Sequence, residues 1–401
     1  MSKNQLKILD DLGLFNLPIT SWQGREFISN GKKYIDYAST NYLGFDFDPH
    51  LTNKGVEYAQ KWSSISGWSR MEVDPDIYYN LENRIAKFLN CQNVHLSHTI
   101  TITGFSIIPS IVKKGIVFAD AKVHNVVYEA CRLAKDHGAQ LLRFKHQDMN
   151  DLERLLQEYR NVTPKMIAVD GVYSISTELA PIRELQLLCE KYDAWLYVDD
   201  AHGFGILGEN PNDLNLYGTR GNGVVNYFGG NFDRTFYVSS FGKAFCTYTA
   251  FATVPNLYRE SVRASSMQYL FSAPPNPYII GTVDAVLDLN DQRGEIERKK
   301  IREITSYFLN GLVRMNLRFT NELLQPVVYL EIGTLPQLVK VAEFLWAGGV
   351  IAGMRAYPVV PETQCGLRFA LSSLHTQEHV DRVLNLLTDL RRDLQISNKI
   401  A

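Results

Sequence analysis

No run of lysine or arginine stands out in these 401 residues, and the formal net charge is only -2. Nucleic acid is therefore not expected as the main partner, because binding it depends on concentrated positive charge. The five cysteines (Cys91, Cys131, Cys189, Cys246 and Cys365) are scattered, with no CxxC pair and no regular spacing. That argues against a disulfide framework and a structural zinc, and fits a reducing compartment, so no metal is expected. No apolar run approaches the roughly 20 residues needed to cross a bilayer. The N-terminal stretch MSKNQLKILDDLGLFNLPI carries acidic residues inside its apolar part and lacks a small-residue cleavage site, so it does not read as a secretory signal. A cytoplasmic protein without a membrane span is expected. Internal repeats and low-complexity tracts are also missing.

There is ample apolar material: 45% of the chain is hydrophobic, enough for one large domain and a smaller one. From about residue 90 to 255, short β-rich runs alternate with helical stretches, the mark of βαβ units around a mainly parallel sheet. The clearest strands are GIVFAD (115–120), KMIAVD (165–170), AWLYVD (194–199) and RTFYVSS (234–240). VHNVVYEACRLAK and IRELQLLCEKY space their apolar residues by three and four, as helices laid on a sheet do. The segment from about 275 to 315 is helical and charge-rich; beyond it come the strands VVYLEI and CGLRFALSS and an amphipathic closing helix, EHVDRVLNLLTDLRRDL. The fold class expected is α/β, with an N-terminal arm over 1–48 ending in YIDYASTNYLGF. A large domain over 49–285 and a smaller α+β domain over 286–401 follow.

Three of the four clear strands end in aspartate. In open α/β sheets ligands bind beyond the carboxyl ends of the strands, so these aspartates either serve a site or cap the next turn. YVDDAHGFGILGE (197–209) runs from an apolar strand into Asp199, Asp200, His202 and three glycines, an arrangement suited to holding a polar heterocycle. TFYVSSFGKAF (235–245) delivers Ser239, Ser240, Gly242 and Lys243 from a strand. A lysine there is either solvated or, with its pKa lowered by burial or nearby charge, a nucleophile able to form a Schiff base with a carbonyl.

Together and in this order, these segments resemble the α-oxoamine synthase family of pyridoxal-5′-phosphate (PLP) enzymes of fold type I. The likeness runs from about Tyr34 to Leu387 and includes YASTNYLGF, GVYSISTELAPI, VDDAHGFGILGE, SSFGKAF and LRFALSSLHT. The resemblance implies an aspartate-aminotransferase-like large domain and a homodimer in which each active site draws on two chains. It assigns Lys243 to the Schiff base with PLP and to proton transfer at the substrate α-carbon. Asp199 would pair with the pyridinium nitrogen, His202 and Ser174 would contact the ring's phenolic oxygen, and His124 would stack on the ring, unless it is only a helix-start histidine bonded to backbone. Ser240 would bind the phosphate, Arg368 the amino-acid carboxylate as a bidentate fork, and Asn41 the substrate.

The chain also departs from the family pattern. LSHTITITGF (96–105) replaces the usual phosphate segment, leaving Thr99 and Ile100 as the positions where a helix start would meet phosphate. CTYTAF follows Lys243 where glycines are usual, which is expected to place bulk near the site. In YLFSAPP, Ala273 stands where a second hydroxyl is frequent, leaving Ser272 to reach a phosphate in the partner subunit. GWSRMEVDPDIYYNLE lacks the glycine and histidine usual in its later part, which points to the specialised acyltransferases of the family rather than its biotin and haem members. The implied reaction condenses a small amino acid with an acyl thioester, on CoA or a carrier protein, releasing CO2 and leaving an α-aminoketone. The alternatives are another PLP reaction on the same fold, such as transamination or aldol cleavage, and a non-catalytic partner subunit.

Overall fold

A computed structural model describes residues 16–394, so most of the N-terminal stretch read above lies outside the described residues. The described residues divide into two units: one holds Asp48–Ser174 and Glu178–Glu295, the other residues 16–47, Ile175–Thr177 and residues 296–394.

The first unit is built on a seven-stranded sheet. Its order is Val94–Ser97, Ala250–Thr253, Thr235–Ser240, Ala194–Asp199, Lys165–Asp170, Ile116–Asp120 and Gln140–Phe144. The last five run parallel, and only Ala250–Thr253 opposes its neighbours. Every residue of Ile116–Asp120 and Lys165–Asp170 is buried, because a parallel sheet is covered on both faces. The helix Asn125–Asp136 buries Val127, Ala130, Cys131 and Ala134, a three- and four-residue spacing that makes one apolar stripe. That stripe packs with Ile107, Ile108 and Ile111 of the helix Ile100–Val112 in the core that also holds Val117, Ala168 and Phe236 of the sheet. With the strands parallel, Asp120, Asp170, Asp199 and Ser240 emerge along one edge of the sheet, and Asp170 and Asp199 are direct register partners.

The second unit also holds a seven-stranded sheet, ordered Ser21–Gln23, Glu26–Ser29, Lys32–Tyr37, Val350–Arg355, Cys365–Ala370, Val327–Gly333 and Phe319–Thr320. Tyr37, Phe308, Phe369, Leu338, Val341, Val380 and Val383 share its core. Residues 1–48 were expected to stand apart as an arm. Instead, Lys32–Tyr37 pairs in parallel with Val350–Arg355, so the described N-terminal strands complete the C-terminal sheet. The boundary between the units falls after Glu295, inside the single helix Pro277–Arg314, rather than at 286. Long-range strand pairing sets the first difference, and no local pattern encodes it.

Candidate active site

At the carboxyl edge of the first sheet lies a pocket of about 490 Å³ including its open mouth. It is lined by Ile100, Thr101, His124, Val126, Asp170, Val172, Ser174, Asp199, Ala201, His202 and Lys243. Six of the residues singled out in the sequence therefore meet there: Lys243, Asp199, His202, Ser174, His124 and Ile100.

Lys243 is placed by its neighbours. Phe241 and Phe245 are fully buried on either side of it, packed with Phe204, whose ring centroid lies 5.2 Å from that of Phe241 and 4.9 Å from that of Phe245. The turn is closed by Phe241 N–H donating to Thr249 O (2.9 Å) and Cys246 N–H to Lys243 O (3.0 Å). Buried aromatics thus anchor the loop while the lysine between them faces the pocket. CTYTAF does not crowd the site as expected: none of its residues lines the pocket, and Tyr248 is more than half exposed.

Two carboxylates dominate the electrostatics. Asp199 accepts Ala201 N–H at 3.1 Å, and Asp170 accepts His124 N–H through both oxygens, at 3.0 and 3.1 Å. Burial raises the pKa of both carboxyls; for Asp170 the charge of Asp199 adds to this, while Lys243 acts against the rise in each. Neighbouring Asp200 points elsewhere. It accepts Val224 N–H (2.8 Å), Gly203 N–H (3.1 Å) and the Tyr237 hydroxyl (2.7 Å), and burial pushes its carboxyl up to about 7.

His124 is both things the sequence allowed: it caps the helix Asn125–Asp136, with Nδ1 accepting Val126 N–H at 3.3 Å, and it lines the pocket. Asp170 is a site residue missed in the sequence, although the signal, a carboxylate closing a strand beside that of Asp199, was present.

The donor set fits PLP. A buried carboxylate whose charge is disfavoured by desolvation is matched by a protonated ring nitrogen, and a lysine amine stands in the same pocket. The helix Ile100–Val112 begins at the pocket wall with Thr99 as its cap, the Thr99 side chain accepting Ile102 N–H at 3.3 Å. Such a helix start suits phosphate. Two expected phosphate residues lie off the lining: Thr99, the cap itself, and Ser240, whose hydroxyl donates to Thr249 O (3.0 Å) and accepts Gly242 N–H (2.9 Å); Ser272, expected to reach a phosphate in the partner subunit, follows the helix Met267–Phe271.

Arg368 and Asn41 belong to the other unit. Arg368 sits in Cys365–Ala370, which has a paired strand on each side and is therefore not an edge strand. Across from it is Gly353, and a side chain there would meet the Arg355 guanidinium at 3.1 Å, so Arg355 fills the space facing Arg368. Arg355 was not anticipated. Burial, then the charge of Arg368, lowers its pKa to about 10. Asn41 donates to Asp46 Oδ2 (2.9 Å), which is also ion-paired to the buried Arg25.

The pattern of class I and II aminotransferases matches residues 33–387. Among curated proteins, the 8-amino-7-oxononanoate synthase of Chromobacterium violaceum is 32% identical over 374 residues, covering 92% of each chain. That of Bacillus velezensis is 29% identical over 380 residues, covering 94% of this chain and 93% of the relative. Among solved structures, serine palmitoyltransferase from S. paucimobilis with bound PLP-myriocin superposes with a TM-score of 0.86 at 24% identity, covering 98% of this chain and 97% of that one. The Sphingomonas wittichii enzyme gives 0.87 at 22%, covering 99% of each, and these two share the fold. The chain belongs to the class I and II aminotransferase family of PLP-dependent enzymes, on its α-oxoamine synthase branch.

Proposed function

We propose that this enzyme joins a small amino acid to an acyl thioester, carried on CoA or a carrier protein, with loss of CO2, to give an α-aminoketone. The observation that carries this reading is the meeting of Lys243, Asp199 and His124 around one pocket in a chain of this branch. Bound PLP supplies an electron sink for the pair left on the α-carbon. Lys243 would hold the cofactor covalently and, once released, move the α-carbon proton. Asp199 would keep the ring nitrogen protonated. His124, its backbone pinned by Asp170, would cover the ring face, while His202 and Ser174 would bond the phenolic oxygen. The helix start at Thr99 and Ile100, Ser240 and a partner's serine equivalent to Ser272 would serve the phosphate. Arg368 would hold the amino-acid carboxylate, with Asn41 beside the substrate.

The test is to mix the purified protein with glycine, alanine or serine and acyl-CoAs of increasing length, following free thiol and CO2. One pairing should release both in equal amounts. Oxo-acid formation without thiol would move the assignment to an aminotransferase, and inactivity without a borohydride-reducible band to a non-catalytic subunit. With the active pair, Arg368→Ala should raise the amino-acid KM by at least about tenfold, since each charge-assisted bond is worth roughly 1.5–3 kcal/mol. Arg368→Lys should recover only part, a point charge being no substitute for the fork. An unchanged KM would take Arg368 out of the site.

A cytoplasmic homodimer is part of this reading. Ile65, Trp68 and Met71 are exposed at 58, 51 and 53%, and Met267 and Phe271 at 64 and 75%. Their segments are joined by the Ser69 hydroxyl donating to Tyr269 O (3.0 Å) and by Arg70 over the Tyr269 ring, so the apolar side chains form a patch suited to a second copy. Sedimentation should give twice the 45.6 kDa chain mass, and Trp68→Glu with Phe271→Glu should shift it toward the monomer. A monomeric wild type would reject the dimer.

A further inference from the structure

Behind the pocket wall, His146 stands between two carboxylates, with Nδ1 2.9 Å from Asp120 Oδ1 and Nε2 2.8 Å from Glu178 Oε2. We propose that His146 is a positioning residue: as an imidazolium clamped between Asp120 and Glu178, it holds in place the segment that carries Val172 and Ser174 into the pocket.

The geometry runs from a fixed point to a pocket residue. Asp120 closes a buried strand, and its side chain is 1% exposed. It also accepts the N–H groups of Lys122 (2.7 Å) and Gln147 (3.0 Å), so it cannot follow a moving partner. Glu178 lies on the return limb of the loop after Lys165–Asp170, and its carbonyl accepts Tyr173 N–H at 3.0 Å. Val172 bridges to Leu179 across the same loop, and Gln147 Nε2 donates to Leu179 O at 3.1 Å. The His146 ring stands edge-on to Tyr173, with centroids 4.5 Å apart. Val172 and Ser174, on either side of Tyr173, both line the pocket.

Bonding two carboxylates at once requires a proton on both ring nitrogens, because a neutral imidazole would turn a lone pair toward one of them. The groups facing His146 are Asp120, Glu178, the Tyr173 phenol, which burial keeps neutral, and, 3.4 Å from Glu178, the Lys122 amine. Burial lowers the imidazole pKa and Lys122 works the same way. The two hydrogen bonds and the Asp120 charge outweigh both and raise it above its ordinary value. The group bonded on the other side is held ionised: burial raises the Asp120 carboxyl, but His146 and two backbone N–H groups bring it below its usual value. The hold is thus complete below the ordinary imidazole value and is lost as pH rises through the raised one.

Only the consequence for catalysis rests on reading the pocket as a PLP site; the clamp can be measured independently. The experiment is hydrogen exchange by mass spectrometry on the holoenzyme and on His146→Gln and Glu178→Gln, from mildly acidic to alkaline pH, corrected for intrinsic exchange rates. At mildly acidic pH, below the ordinary imidazole value, the peptide spanning 171–180 should exchange about tenfold faster in His146→Gln, as one lost charge-assisted clamp implies, while the 194–199 strand keeps its rate. Wild type should converge on the variant as pH rises, and in Glu178→Gln the convergence should come at lower pH. The holoenzyme's visible band should shift with the same pH dependence in wild type and not in His146→Gln. Equal protection of 171–180 in wild type and His146→Gln at every pH overturns the clamp. Should His146→Gln not fold, a loss of protection over 171–180 with the same pH midpoint in Glu178→Gln as in wild type overturns it instead. A wild type without a borohydride-reducible band defeats the PLP reading, while the exchange data still decide the clamp.

Discussion

Lys243→Ala is expected to leave a folded protein that binds PLP at most non-covalently, with no borohydride-reducible band and turnover down by at least about a thousandfold. The structure says why folding should survive. Burial at this turn is carried by Phe241 and Phe245 and their packing with Phe204, whereas Lys243 faces the pocket. Removing it leaves that aromatic packing in place and takes away a charge that eases the ionisation of Asp170 and Asp199, so the fold should persist with those carboxyls raised further. The loss of turnover has two sources. The cofactor loses its covalent tether, and the α-carbon proton loses a positioned base, an effect that alone is worth about 10²–10⁴. Added primary amines should restore part of the second loss and none of the first. Mass spectrometry after borohydride treatment reads the outcome directly: wild type should carry one PLP on the peptide containing Lys243, and the variant none. A reduced cofactor still attached in Lys243→Ala would place the covalent site on another lysine.

Much of this was legible in the chain because the site is made of strand ends. GIVFAD, KMIAVD, AWLYVD and RTFYVSS are local patterns, and parallel strands must gather their final residues along one edge. Lys243, Asp199 and His202 could therefore be singled out from local pattern, while Ser174 and His124 came from the resemblance to the α-oxoamine synthases. What stayed hidden depends on pairing between distant segments. The N-terminal strands read as a separate arm because nothing in YIDYAST announces a parallel partner more than 300 residues away at Val350–Arg355. Arg355 was overlooked because its place opposite Arg368 follows from a cross-strand register and a glycine at 353. Asp170 was half visible: it was noted as a strand-ending aspartate, but its bond to the His124 backbone is tertiary. The altered segment 96–105 changed the side chains yet still produced a helix start at the pocket wall. The specialised-acyltransferase reading finds no echo in the names of the two curated relatives, both oxononanoate synthases.

Asp199→Asn should separate a ring partner from a structural cap. Asparagine has the same shape and keeps an oxygen for the Ala201 N–H, so the turn after the strand persists. What disappears is a buried negative charge. In the cofactor-free protein that charge is unfavourable: burial raises the carboxyl pKa, outweighing Lys243 and His124. A group whose folded pKa is raised binds more protons folded than unfolded, so its ionisation costs stability as pH climbs above its ordinary value. At neutral pH the cofactor-free Asn variant should therefore melt at or above wild type. With PLP bound the sign reverses, since the anion now pairs with a ring cation, and removing one partner of a buried pair costs about 3–5 kcal/mol. On that scale the exchange of the substrate α-proton should fall by at least about 10²-fold, because a deprotonated ring is a poor electron sink. Asp200→Asn is the contrast: both its oxygens accept donors, Gly203 N–H on one and Val224 N–H and the Tyr237 hydroxyl on the other, so an amide nitrogen would have to face one of these buried donors and the melting temperature should fall with or without cofactor. Melting curves of both variants with and without PLP, with α-proton exchange followed by NMR in deuterium oxide, check this. If Asp199→Asn lowered the melting temperature equally in both forms and left exchange intact, Asp199 would be a cap, and the ring nitrogen would have to be served by Asp170, the other carboxylate that lines the pocket.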